Sequence, residues 1–85
     1  MSSIEERVKK VTARILKIDE SQIKPESHFV KDLGAQSIQS IELVAAYEEE
    51  FGIEMDEDEA LEVKTVGEAV KFIENAIREQ KGEVS

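Results

Sequence analysis

Eighty-five residues make one small domain, 1–85, and a chain this short buries roughly 60% of its unfolded surface, so its core is modest. Hydrophobic residues at 40% suffice for a folded core, whereas one Pro and four Gly are too few for a linker or a low-complexity chain. The net charge of −9 disfavours nucleic acid and anionic membranes as partners, and the absence of cysteine excludes disulfides, thiolate zinc sites and cysteine nucleophiles.

Ile4, Val8, Val11, Ile15 and Ile18 recur at helical spacing, and Ser3 with Glu6 forms a capping box ahead of them. Periodicity is lost from Asp19 to Gln36, the stretch with the single proline, Pro25. It reads as a long ordered loop anchored by Ile23, Phe29 and Leu33. A second helix is predicted over Ser37 to Phe51, with Ile38, Ile41, Val44, Ala45 and Glu48 on one side. Leu43, Tyr47 and Phe51 widen its apolar face, and Gly52 ends it.

Asp56 to Glu62 has room for one short helix with Ala60, Leu61 and Val63 turned inward. Thr65 and Glu68 form another capping box, opening a last helix with Val66, Ala69, Val70, Ile73, Ala76 and Ile77 on its core face; the tail after Gln80, 81–85, reads as frayed. No strand alternation and no repeat is present, so the expected fold is all-α: a small four-helix bundle, three main helices plus one short helix, with a long first loop. No apolar stretch has signal-peptide or membrane-spanning length, which leads us to expect a cytoplasmic monomer without membrane insertion.

The charge is concentrated in one segment. Eleven acids and no Lys or Arg lie between Asp32 and Val63, against nine acids and eleven bases in the rest of the chain. Such a block is either a solvated face or a docking surface for basic proteins, and the lack of any interleaved lysine favours docking. It is not an EF-hand, because Ala60 and Leu61 stand where an oxygen ligand and a glycine are needed, and a metal site is not expected. A serine hydrolase is rejected as well: the single histidine, His28, lies in the loop and reads as a local hydrogen-bonding residue, and no G-x-S-x-G elbow exists.

Ser37 supports two readings. As an N-cap it accepts a backbone N–H bond worth about 1 kcal/mol. Alternatively, a hydroxyl at a helix N-terminus is rigidly presented where an attached phosphate is favoured by free amides and the helix dipole, with Gly34 allowing close approach of another protein. Spacing alone leaves both open.

The run Asp32-Leu33-Gly34-Ala35-Gln36-Ser37-Ile38, followed by Glu42-Leu43-Val44 and Glu48-Glu49-Glu50-Phe51, resembles the acyl carrier proteins of bacterial fatty-acid synthesis. The likeness extends over nearly the whole chain. It implies a non-enzymatic protein in which Ser37 bears a covalent 4′-phosphopantetheine, attached from coenzyme A by a separate phosphopantetheinyl transferase. The arm's thiol holds acyl groups as thioesters for fatty-acid, lipid or polyketide biosynthetic enzymes. Those acyl-transferring and synthase enzymes would meet the acidic helix through basic patches, with Asp32, Glu42, Glu48 and Glu49 as the docking residues.

The chain departs from the family pattern D-L-G-x-D-S-L at Gln36, Ile38 and Gln39, which lowers the negative charge beside the serine. A specialised pathway is therefore expected. The alternative is an acidic interaction-only adaptor that is poorly or not modified.

Overall fold

The computed structural model describes residues 3–82. Four α-helices follow one another: α1 (Ile4–Leu16), α2 (Ser37–Phe51), α3 (Glu57–Leu61) and α4 (Val66–Lys81). Two capping boxes form as the sequence indicates. Ser3 Oγ accepts the Glu6 N–H while Glu6 Oε1 accepts that of Ser3, both at 3.1 Å, and Thr65 and Glu68 repeat the arrangement ahead of α4. Gly52 ends α2 in the left-handed region at φ 64°, a conformation glycine adopts without Cβ strain.

α1 is the spine. Val8 and Thr12 are fully buried with Val11 and Leu16, while Ile4, Ile15 and Ile18 pack at the margin of the core. Arg7, near the start of α1, donates from Nε to Glu50 Oε2 and from its second terminal nitrogen to the Glu50 carbonyl, both at 2.8 Å. Its guanidinium also lies 4.5 Å from the centre of the Phe51 ring. The start of α1 therefore meets the end of α2, and the two helices are antiparallel. α4 runs parallel to α2. Its first turn is tied to the loop that leads into α2 through Val66 N–H to the Ser27 carbonyl (3.0 Å), and near its end Gln80 Oε1 accepts the Glu54 N–H (2.7 Å). α1 packs against both, and Ile73 of α4 is wholly enclosed.

The long connection is more structured than its aperiodic sequence suggests. Asp19 caps a 3₁₀ turn, Glu20–Gln22, by accepting the Ser21 N–H at 2.8 Å, and hydrogen bonding from Ser21 holds its carboxyl below the usual carboxylate range. The missed signal is the D-x-x-Q spacing of a capping box, with Gln22 Oε1 accepting the Asp19 N–H at 3.3 Å. Ile23 and Phe29 are buried and Leu33 is half-buried, as expected of the anchors. His28 also pairs with Thr65 in an isolated antiparallel bridge.

Three expectations are corrected. Ile38, Ile41 and Ala45 are not core residues of α2: Ile38 and Ile41 are 65% and 47% exposed, and the buried face is Leu43, Val44, Tyr47 and Phe51. The first half of this helix is apolar on several sides, so packing against α1 rather than periodicity selects the inward face. The short helix is Glu57–Leu61 with Asp56 as its cap, and Leu61 is 40% exposed although Ala60 is buried. Finally, α4 continues through Lys81 rather than fraying after Gln80, and residues 83–85 of the expected tail lie outside the described residues.

Candidate functional site

The turn before α2 is assembled from backbone bonds. Asp32 N–H and Leu33 N–H donate to the His28 carbonyl (2.9 and 3.0 Å), Gly34 N–H to the Val30 carbonyl (3.1 Å), and Ala35 N–H to the Phe29 carbonyl (2.9 Å). Gly34 has φ 72°, and a Cβ there would meet nothing within 4 Å, so backbone conformation rather than crowding calls for glycine. Two side chains brace the loop. Asp32 Oδ2 accepts the His28 N–H at 2.7 Å, and His28 Nδ1 accepts the Lys31 N–H at 3.2 Å, the local role expected of His28.

Ser37 is not the N-cap. The residue before it, Gln36, has the extended conformation of a cap (φ −91°, ψ 166°), so Ser37 is the first helical residue. The cap is built around Gln36. Its N–H donates to Gln39 Oε1 at 2.9 Å, and its carbonyl accepts the Ser40 N–H at 2.9 Å and the Ser40 hydroxyl at 3.3 Å. Ser37 is consequently exposed, with its hydroxyl not committed to closing the helix. The first turn of α2 holds no acid, and the leading amides of a helix have no partner within it, so this end favours a negatively charged group. An exposed hydroxyl beside an amide-rich, acid-free helix N-terminus fits a phosphodiester attached at Ser37.

Below Ser37, α2 and α4 both lean on α1 and leave a cavity of about 100 Å³ between them, closed on its third side by α3. Ser40, Leu43, Val44 and Tyr47, at helical spacing, form the α2 wall, and Ala69 and Phe72 form the α4 wall. Val30 and Leu61 border it and are both exposed. Sequence reasoning missed Ser40 and Leu61 as cavity residues; the available signal was Ser40 standing one turn after Ser37. Tyr47 is held in place because its hydroxyl is hydrogen-bonded to Thr12 Oγ1, and burial pushes the phenol well above its ordinary pKa.

The acids suggested for docking divide in two. Glu42 and Glu49 are exposed on α2. Asp32 braces the loop, and Glu48, half-buried, accepts the Met55 N–H at 2.8 Å, which ties the α2–α3 connection to α2. Among the described residues no helix is long and apolar enough to cross a membrane.

Comparison with known proteins agrees with this geometry. Residues 6–73 match the family described as the phosphopantetheine attachment site. An acyl carrier protein of Sinorhizobium fredii and the acyl carrier protein AcpP of Rhizobium meliloti are each 50% identical over 76 residues, covering 89% of this chain and 97% of theirs. A solved structure assigned as an acyl carrier protein from Mycobacterium tuberculosis superimposes with a TM-score of 0.80 at 30% identity, over 86% of this chain and 97% of that one. Such proteins are carriers rather than enzymes, and their cofactor is a covalently attached 4′-phosphopantetheine. The chain belongs to the acyl carrier protein family.

Proposed function

We propose that Ser37 is the attachment residue, and that the protein holds acyl groups on its arm for fatty-acid, lipid or polyketide biosynthetic enzymes of a specialised cytoplasmic pathway. The observation that carries this reading is the exposed Ser37 hydroxyl at the first position of α2, left uncommitted by a cap built from Gln36, Gln39 and Ser40. The arm, attached by a phosphopantetheinyl transferase from coenzyme A, supplies the thiol that this cysteine-free chain lacks. The chain's own contribution is to fix the attachment oxygen, favour the phosphate through the α2 amides, and offer the α2–α4 cavity to the cargo.

Docking is electrostatic. The acid-only segment from Asp32 to Val63 attracts basic partner surfaces with fast, salt-sensitive association, and Glu42 and Glu49 present carboxylates directly to solvent. Asp32 and Glu48 contribute their charge while each also accepts a backbone N–H. The acid-free first turn, with Gln36 and Gln39 where acids are common in the family, supports service to partners less basic around the serine.

Intact mass after co-expression with a transferase tests the assignment. One phosphopantetheine adduct is expected on the wild type and none on Ser37→Ala, which keeps its melting temperature because no cap bond is lost. Unmodified wild-type protein would leave the acidic adaptor as the surviving reading.

A further inference from the structure

We infer that Gln80 is a positioning residue for docking: from the last turn of α4 it fixes the connection that carries α3, and so sets where the α3 carboxylates stand beside those of α2. The inference rests on the electrostatic docking proposed above and names a residue that serves it from a distance.

α3 cannot place itself. It has five residues, too few for a helix stable on its own in water, and Ala60 alone among them is buried. Asp56, Glu57, Asp58 and Glu59 are consecutive and exposed, so mutual repulsion works against any compact position for them. What fixes such a segment is the attachment of its two ends. After α3, the Lys64 carbonyl accepts the Phe29 N–H at 3.0 Å. Before α3, two helices hold successive residues of the connection. From α2, the Glu48 carbonyl accepts the Ile53 N–H at 3.2 Å and the Glu48 carboxylate accepts the Met55 N–H at 2.8 Å. From α4, the Gln80 side chain pairs with Glu54 twice: Oε1 accepts the Glu54 N–H at 2.7 Å, and Nε2 donates to the Glu54 carbonyl at 2.5 Å.

A planar amide that both accepts and donates suits this task, because it fixes the peptide groups on either side of the Glu54 Cα at once. Being neutral, Gln80 adds no repulsion to the acids around it. Lys81 beside it brings a cation over the same turn, with Nζ 2.9 Å from where a Cβ on Gly52 would stand. α2 and α4 are parallel, so the end of α4 lies at the opposite end of the bundle from Ser37, the first residue of α2. Gln80 therefore reaches docking through α3 and not through the attachment site.

A double-mutant cycle on the full chain tests this. Unmodified protein would be given to a phosphopantetheinyl transferase, with KM and kcat read at low and high salt and the adduct confirmed by mass. Gln80→Ala should raise KM about threefold, the scale of one exposed ion pair, and leave kcat unchanged. Neutralising α3 with Glu57→Gln, Asp58→Asn and Glu59→Gln should itself raise KM and flatten its salt dependence; adding Gln80→Ala to that background should change nothing further. Gln80→Met, similar in length but lacking the amide, should match Gln80→Ala, and hydrogen exchange at the Glu54 amide should quicken in both. An unmoved KM in Gln80→Ala, a loss in kcat in place of the rise in KM, or a rise in KM that persists once α3 is neutral would overturn the positioning role while leaving docking in place. A wild-type KM indifferent to salt would instead overturn the docking reading, and lack of any adduct the carrier reading, each taking the inference with it.

Discussion

The two sides of the bundle obey different packing rules. Where α2 and α4 meet α1, side chains interlock: Val8, Thr12, Val66 and Ile73 have essentially no exposure, and Tyr47 is bonded across the interface. Where α2 and α4 face each other across α3, a cavity replaces contact and Leu61 stands partly in solvent. One apolar composition thus produces a rigid seam and a yielding one. In a small domain with little stability to spare, concentrating stability in the α1 seam leaves the other side free to open without unfolding the whole.

The sharpest way to break this contrast is to truncate one residue from each side. Ile73→Ala should cost about 2–5 kcal/mol, because a fully enclosed side chain leaves a void its neighbours cannot fill. Leu61→Ala should cost less than about 1 kcal/mol, since much of its surface is already wet. Chemical denaturation of both checks it, and equal losses would erase the distinction.

Tyr47→Phe probes the seam's polar fastening. Thr12 Oγ1 retains its 2.7 Å bond to the Val8 carbonyl, so the expected loss is about 1 kcal/mol, the net worth of one hydrogen bond. The variant also changes the alkaline response. The folded state raises the Tyr47 pKa, so its contribution is complete below the ordinary tyrosine value near 10.0 and declines as pH rises beyond it. Stability in Tyr47→Phe should fall less steeply above about pH 10 than in the wild type.

The smallest effect belongs to the caps. Glu68 accepts the Lys64 and Thr65 N–H groups, and these bonds lower its pKa. A lowered carboxyl pKa stabilises the fold above the unfolded value and loses that contribution as pH falls through the folded one. Glu68→Gln should therefore be slightly less stable than the wild type at pH 7, with the difference closing below about pH 4, as urea midpoints across that range would show.

These contrasts bear on what the sequence made legible. Ser3 with Glu6, Thr65 with Glu68 and Gly52 were readable because each acts within three or four residues along the chain. The α4 core face was readable too, since its apolar stripe is narrow and unambiguous: Val66, Ala69, Ile73 and Ala76 are all buried. Ile38 and Ile41 misled because an α2 apolar on several sides offers more than one plausible inward face, and tertiary contact with α1 decides. Ser37 was recognisable from the surrounding run of residues, but its position one step inside the helix depended on Gln36 adopting the extended conformation. The cavity was not legible, because an empty space between two helices has no residue of its own to announce it.

Delegating closure of the helix to Gln36, Gln39 and Ser40 has a consequence for the protein's life cycle. Derivatising Ser37 removes no bond on which the native state depends, so bare and derivatised molecules can share one architecture. If Ser37 carries the arm as proposed, a prosthetic group could be installed, stripped and replaced on an already folded chain, with no need for chaperoned rebuilding between rounds.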